Sequence, residues 1–104
     1  MNADFMLIVP KNSAGIDSCN RGVNDDENQE LFPLTRDEYE VLRRHHVFDI
    51  LNDRYDLWID EGESETITAE RLKDAYSAIT PVKNSWQVAV DHAIKYNTFV
   101  CLVF

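Results

Sequence analysis

Apolar positions along the chain follow two unlike patterns. At the ends they are consecutive: Asp4-Phe-Met-Leu-Ile-Val-Pro10 and Thr98-Phe-Val-Cys-Leu-Val-Phe104. Side chains alternate across a strand, so a run apolar at every position predicts a strand covered on both faces. Exposed, such strands would aggregate, so both are expected at the centre of one sheet with helices packed over it.

Between the ends, the spacing changes to three and four. Thr35-Arg-Asp-Glu38 has the form of a capping box, with Leu34 and Tyr39 placed as a hydrophobic staple. The helix it starts carries Tyr39, Leu42, His46 and Ile50 on one side and Val41, Phe48 and Tyr55 on the other, which predicts a break near His45-His46 and a second helix to about Asp53. Tyr55-Asp-Leu-Trp-Ile-Asp60 reads as a short strand, and Asp60-Glu-Gly-Glu-Ser-Glu65 as an acidic turn. Thr68 is an N-cap for a helix through Leu72, Ala75, Tyr76 and Ile79. Thr80-Pro81 opens another, with Asn84 as a later alternative start, carrying Val82, Trp86, Ala89, Val90 and Ala93 and ending at Asn97. Residues 11–33 have no sustained period and collect Asn, Ser, Gly and Asp, so they read as a long polar loop anchored by Ile16, Val23, Leu31 and Phe32. The expected architecture is a single α+β domain over residues 1–104: a small sheet with the N- and C-terminal strands central, packed by three or four helices.

A chain of 104 residues that is 44% hydrophobic can bury one core without a disulfide or structural metal. Its apolar runs are far shorter than the roughly 20 residues of a membrane helix. Asp4 precedes the first run and the first lysine is Lys11, so no basic leader pattern is present and a cytoplasmic location is expected. Cys19 stands in a polar stretch and Cys101 in an apolar one; a bridge requires a fold that brings them together, none is expected, and Cys101 reads as core.

Charge changes the picture more. Nineteen carboxylates against ten Lys and Arg give a formal net charge of −9. Such a surface repels phosphate backbones and anionic lipid and attracts basic partners, so neither nucleic acid nor membrane is expected as a partner. The same charge also keeps a small domain soluble, so its meaning depends on where it gathers.

Candidate chemistry is sparse. His45 and His46 are adjacent and point about 100° apart on a helix, so they do not form a chelating pair. Asp49 is spaced to join either one, and His92 stands on another helix, but nothing in the chain brings these together and no metal site is expected. The acidic turn lacks the ligand register of a calcium loop. With three glycines there is no phosphate cradle, and there is no G-x-S-x-G elbow, so no cofactor and no enzymatic activity are expected. Trp86 falls on an apolar helix face and reads as core. Trp58 alternates with Leu57 and Ile59 and is expected to face outward beside the acidic turn. An exposed indole rimmed by Asp60, Glu61, Glu63 and Glu65 has the make-up of a hot spot for a basic protein, as an inhibitor or immunity-type protein would carry. The alternative is a small enzyme or ligand-binding domain with a pocket at His45, His46 and Asp49, beside the long loop.

Overall fold

The two terminal runs pair with each other. In the computed structural model, which describes residues 5–104, strand β1 (Phe5–Pro10) lies antiparallel to β4 (Phe99–Val103), with Leu7 opposite Leu102 and Ile8 opposite Cys101. Asp4 of the predicted run lies outside the described residues. Strand β2 (Gln29–Leu34) flanks β1, and β3 (Ser64–Thr68) flanks β4, giving an antiparallel sheet of order β2-β1-β4-β3. The fold is α+β with the terminal strands central. Pro33 falls in an edge strand, where a missing N–H is tolerated.

Alternation assigns the faces. Phe5, Leu7, Val9, Val100, Leu102, Ile67 and Leu34 are buried on the inner face. Helix α6 (Ser85–Tyr96) lies over them through Trp86, Ala89, Val90 and Ala93. The Trp86 indole N–H donates to the Ile79 carbonyl at 2.7 Å, so the largest buried side chain brings no orphaned donor into the core. Helices α2 (Arg36–Arg44) and α3 (Val47–Tyr55) close the inner core with Tyr39, Leu42, Val47, Phe48 and Leu51. Short helices α4 (Ala69–Asp74) and α5 (Tyr76–Ile79) add Leu72 and Ile79. No helix among the described residues is long and apolar enough to cross a membrane.

The capping box at Thr35 and Glu38 forms in both directions. The chain turns between α2 and α3 at His46, whose backbone is left-handed at φ 60°. Asn97 ends α6 in the same conformation. The start of α6 is set by Asn84, whose side chain accepts from the Trp86 amide, so the later of the two predicted starts is used and Pro81 stands before the helix.

Three sequence expectations are corrected. Residues 11–33 are no loop: they contain helix α1 (Ser13–Asn20) and most of β2. Their polar residues build structure, with Asn12 capping α1 at the Gly15 amide (2.9 Å) and Ser18 donating to Asp25 (3.1 Å). Gln29, only 2% exposed, receives the Asp25 amide and donates to the Gly15 carbonyl. Tyr55–Asp60 is not a strand, because α3 runs on through Tyr55; the strand is Ser64–Thr68, inside what reads as acidic turn and helix lead-in. Six helical segments, more than the three or four expected, pack the sheet among the described residues.

Candidate functional site

Trp58 is 72% exposed, the most exposed of the large apolar side chains described. Its position is fixed from the backbone outward. Helix α3 ends at Asp56, left-handed at φ 55°, and the Leu57 amide returns to the Asn52 carbonyl. The Asn52 side chain then brackets Ile59, accepting from its amide at 2.8 Å and donating to its carbonyl at 3.2 Å. These bonds anchor the segment at Ile59, whose side chain is buried, while that of the adjacent Trp58 stands in solvent. The Trp58 amide donates to Glu65 at 3.2 Å. The backbone that carries the indole is thereby fixed, so binding has only the side chain left to order.

Beyond Trp58 the chain turns at Gly62, φ 83°, and is pinned to the chain end: the Gly62 amide donates to the Phe104 carbonyl, and the Phe104 amide to Glu63. Phe104 packs against Phe5, Tyr39 and Phe48, so the turn rests on the aromatic core.

Trp58 stands on an open groove of about 820 Å³ between α2, α3 and the segment that follows α3. Tyr39 and Phe48 contribute the buried aromatic part of its wall. Five carboxylates line it, those of Glu40, Asp49, Asp53, Asp56 and Asp60, against the guanidinium groups of Arg43 and Arg44. Burial pushes the Tyr39 hydroxyl above its ordinary value, with Arg43 opposing, so it stays a neutral phenol.

Of the expected site residues, Trp58 and Asp60 line this groove; Glu61, Glu63 and Glu65 do not. Glu61 is engaged by Arg36 at 3.1 and 3.4 Å, and those hydrogen bonds hold its carboxyl below the ordinary value. Glu65 serves the Trp58 and Thr66 amides. Glu63 is exposed on the turn. Asp49, expected only in the alternative pocket with His45 and His46, lines the groove as well, and the residues missed were Asp53 and Asp56, which continue its stripe. The spacing of four and three from Asp49 was readable as one stripe of a helix, and an α3 extended to its true end would have led that stripe to Trp58.

The three histidines do not converge. His46 lines the groove with its Nδ1 3.2 Å from Asp49 Oδ2, both side chains more than 70% exposed. His45 is exposed outside it. His92 stands on α6 with Nδ1 2.5 Å from Glu30 Oε2, and Tyr96 donates to the other oxygen of Glu30. Among the described residues no group of three His, Cys, Asp or Glu is placed to hold a metal ion. No family model matches the chain, and searches of curated proteins and of solved structures return no match.

Proposed function

We propose that this protein is a binding module whose groove receives a cationic segment of a protein partner, with Trp58 as the anchor. The observation that carries the reading is the pairing of an exposed, backbone-fixed indole with the carboxylates of Asp53, Asp56 and Asp60 on one groove. A cation over an indole face is attracted by the ring quadrupole, and carboxylates alongside steer its approach. Lys or Arg side chains, presented on an extended strand or a helix, meet both requirements. By covering such a segment the module would occlude a basic functional surface, the action of an inhibitor or immunity-type protein.

The test is capture from cell extract at about 0.05 M and about 0.5 M salt, where the screening length falls severalfold. Wild type is compared with Trp58→Ala and with Asp53→Lys/Asp56→Lys. The expected result is a basic protein retained at low salt, weakened at high salt and lost from both variants. Retention by both variants, or binding indifferent to salt, overturns the reading.

A second reading, a small ligand-binding or catalytic domain, draws on the His46–Asp49 pair in the same groove. An imidazole 73% exposed on an open groove faces bulk water, which does not shield a reaction. The binding module is the stronger reading.

A further inference from the structure

We propose that the outer face of the sheet is a dimer interface, on which a second copy of this chain packs face to face about a two-fold axis. The proposal is independent of the groove.

Strands β1 and β4 are apolar at consecutive positions, a pattern that calls for cover on both faces. The fold supplies full cover on one. Helices α2 to α6 all contribute buried residues to the core beneath the inner face, and among the described residues α1 alone lies on the other side. It covers only one end. Gln29, opposite Pro10, is buried beneath α1 and donates to the Gly15 carbonyl, and a Cβ at Gly15 would stand 3.3 Å from Pro10 Cα.

Strand register lays out what α1 leaves. Pro33, Met6, Val103 and Ser64 lie opposite one another in a row across the four strands. Leu31, Ile8, Cys101 and Thr66 form the next row on the same face. Val103 is 42% exposed, and Pro33, Ser64 and Thr66 are exposed with it. Cys101, which the sequence reads as core, is half-buried here.

Charge selects the occupant. Neither row holds an acid, a lysine, an arginine or a histidine, on a chain with nineteen carboxylates against ten Lys and Arg. A partner recognised by opposite charge finds nothing to pair with on this face. Two copies of a chain of net charge −9 repel wherever their charged surfaces meet, so an uncharged apolar face is where they approach at least cost. The same face on both copies makes a closed, isologous contact, in which two sheets pack about 10 Å apart with their strands roughly 30° out of alignment. The two rows span roughly 19 Å by 14 Å, about 270 Å² per copy before the rim is added, against about 800 Å² per partner in a standard interface. The dimer is therefore weak, with a Kd on the order of 0.1 mM. Helices α2 and α3, which wall the groove, belong to the inner side of the sheet, so the dimer leaves both grooves open.

The test is sedimentation equilibrium over about 0.01–1 mM protein, at about 0.05 M and about 0.5 M salt. A monomer–dimer equilibrium is expected whose Kd falls at least about threefold at the higher salt, because screening removes repulsion between like-charged copies. A cationic segment bound in the groove responds in the opposite sense, so the two readings fail separately. Val103→Lys and Thr66→Lys should each raise Kd at least about tenfold by setting like charges against each other across the two-fold, although each lowers the net negative charge. Thr66 is exposed on an edge strand, so its variant tests the face even where Val103→Lys fails to fold. Trp58→Ala should dimerise as the wild type does. A chain still monomeric at about 1 mM, a dimer that weakens with salt, one that survives the folded lysine variants or is lost in Trp58→Ala, or assembly that continues past two copies overturns the proposal.

Discussion

Asp56→Gly should stabilise the protein while weakening its hold on a basic partner. Asp56 has φ 55° and ψ 47°, the left-handed region, where an L-residue pays about 1 kcal/mol, aspartate lying at the low end of the range. Its carboxylate also stands at the C-terminus of α3, the negative end of the helix dipole, adding about 0.3 kcal/mol at an exposed site. Glycine removes both penalties but brings about 0.5–1 kcal/mol of extra backbone entropy to the unfolded chain. The balance is a gain of about 0.5 kcal/mol, or roughly 2–4 °C in Tm for a domain of this size. In urea unfolding the midpoint should rise with the slope unchanged. Association with the basic partner should slow and become less salt-dependent, because one groove charge is gone. A lower midpoint would show that the Asp56 carboxylate has a structural role that its geometry does not reveal. An unchanged association rate would remove the groove from the binding reaction.

Trp58→Ala should change stability by no more than about 0.5 kcal/mol in the same assay, since the indole is 72% exposed, yet cost about 2 kcal/mol or more in partner affinity by calorimetry. Gly15→Ala should destabilise by about 1–3 kcal/mol, because the added methyl meets a backbone carbonyl that has nowhere to go. An ordinary helical glycine responds in the opposite direction, gaining nearly 1 kcal/mol, so the sign of the urea-midpoint shift decides. Burial pushes the Glu30 carboxyl up, but hydrogen bonds from Tyr96 and His92 and the charges of His92 and Lys11 bring it below its ordinary 4.5. The unfolded chain therefore takes up this proton first, so Glu30 contributes stability that is complete above about pH 4.5 and disappears as pH falls through its lower folded value. Glu30→Gln should flatten the acid limb of the stability–pH curve. Glu38, also lowered, acts in the same direction and will leave part of the slope in place.

Legibility in the sequence followed how each element is signalled. The terminal strands were readable because five or more consecutive apolar residues have few homes outside the centre of a sheet. The α2 start was readable because a capping box is local chemistry, and the break at His45-His46 because the apolar stripe changes sides there. Helix α1 and the start of strand β2 were hidden by their polarity, and Pro33 obscured the rest of the strand. Their stabilising groups are Asn12, Ser18, Asp25 and Gln29, whose hydrogen bonds exist only after folding, so the composition resembled a loop. Trp58 was placed correctly by alternation, but its partners were not. The acids that follow Trp58 were chosen over Asp53 and Asp56, which precede it on α3, and Glu61 and Glu65 among the former prove to be occupied.

That occupation gives the charge surplus its meaning. Asp17 pairs with Arg21, Glu61 with Arg36, and Asp74 accepts from Tyr55; Asp91 accepts from Tyr76, and Asp25 from Ser18 and Asn28. Asp37 and Glu70 stand in first helical turns, where the dipole favours a carboxylate. Asp53 and Asp56 have no such account: neither carboxylate makes a hydrogen bond or ion pair among the described residues, and both sit at the end of α3 where the dipole opposes them. Folding alone would select other residues there, glycine at Asp56 above all. Two carboxylates set against local preference, one of them in a left-handed backbone and both lining the groove that carries an exposed indole, support the proposal that this groove binds a cation.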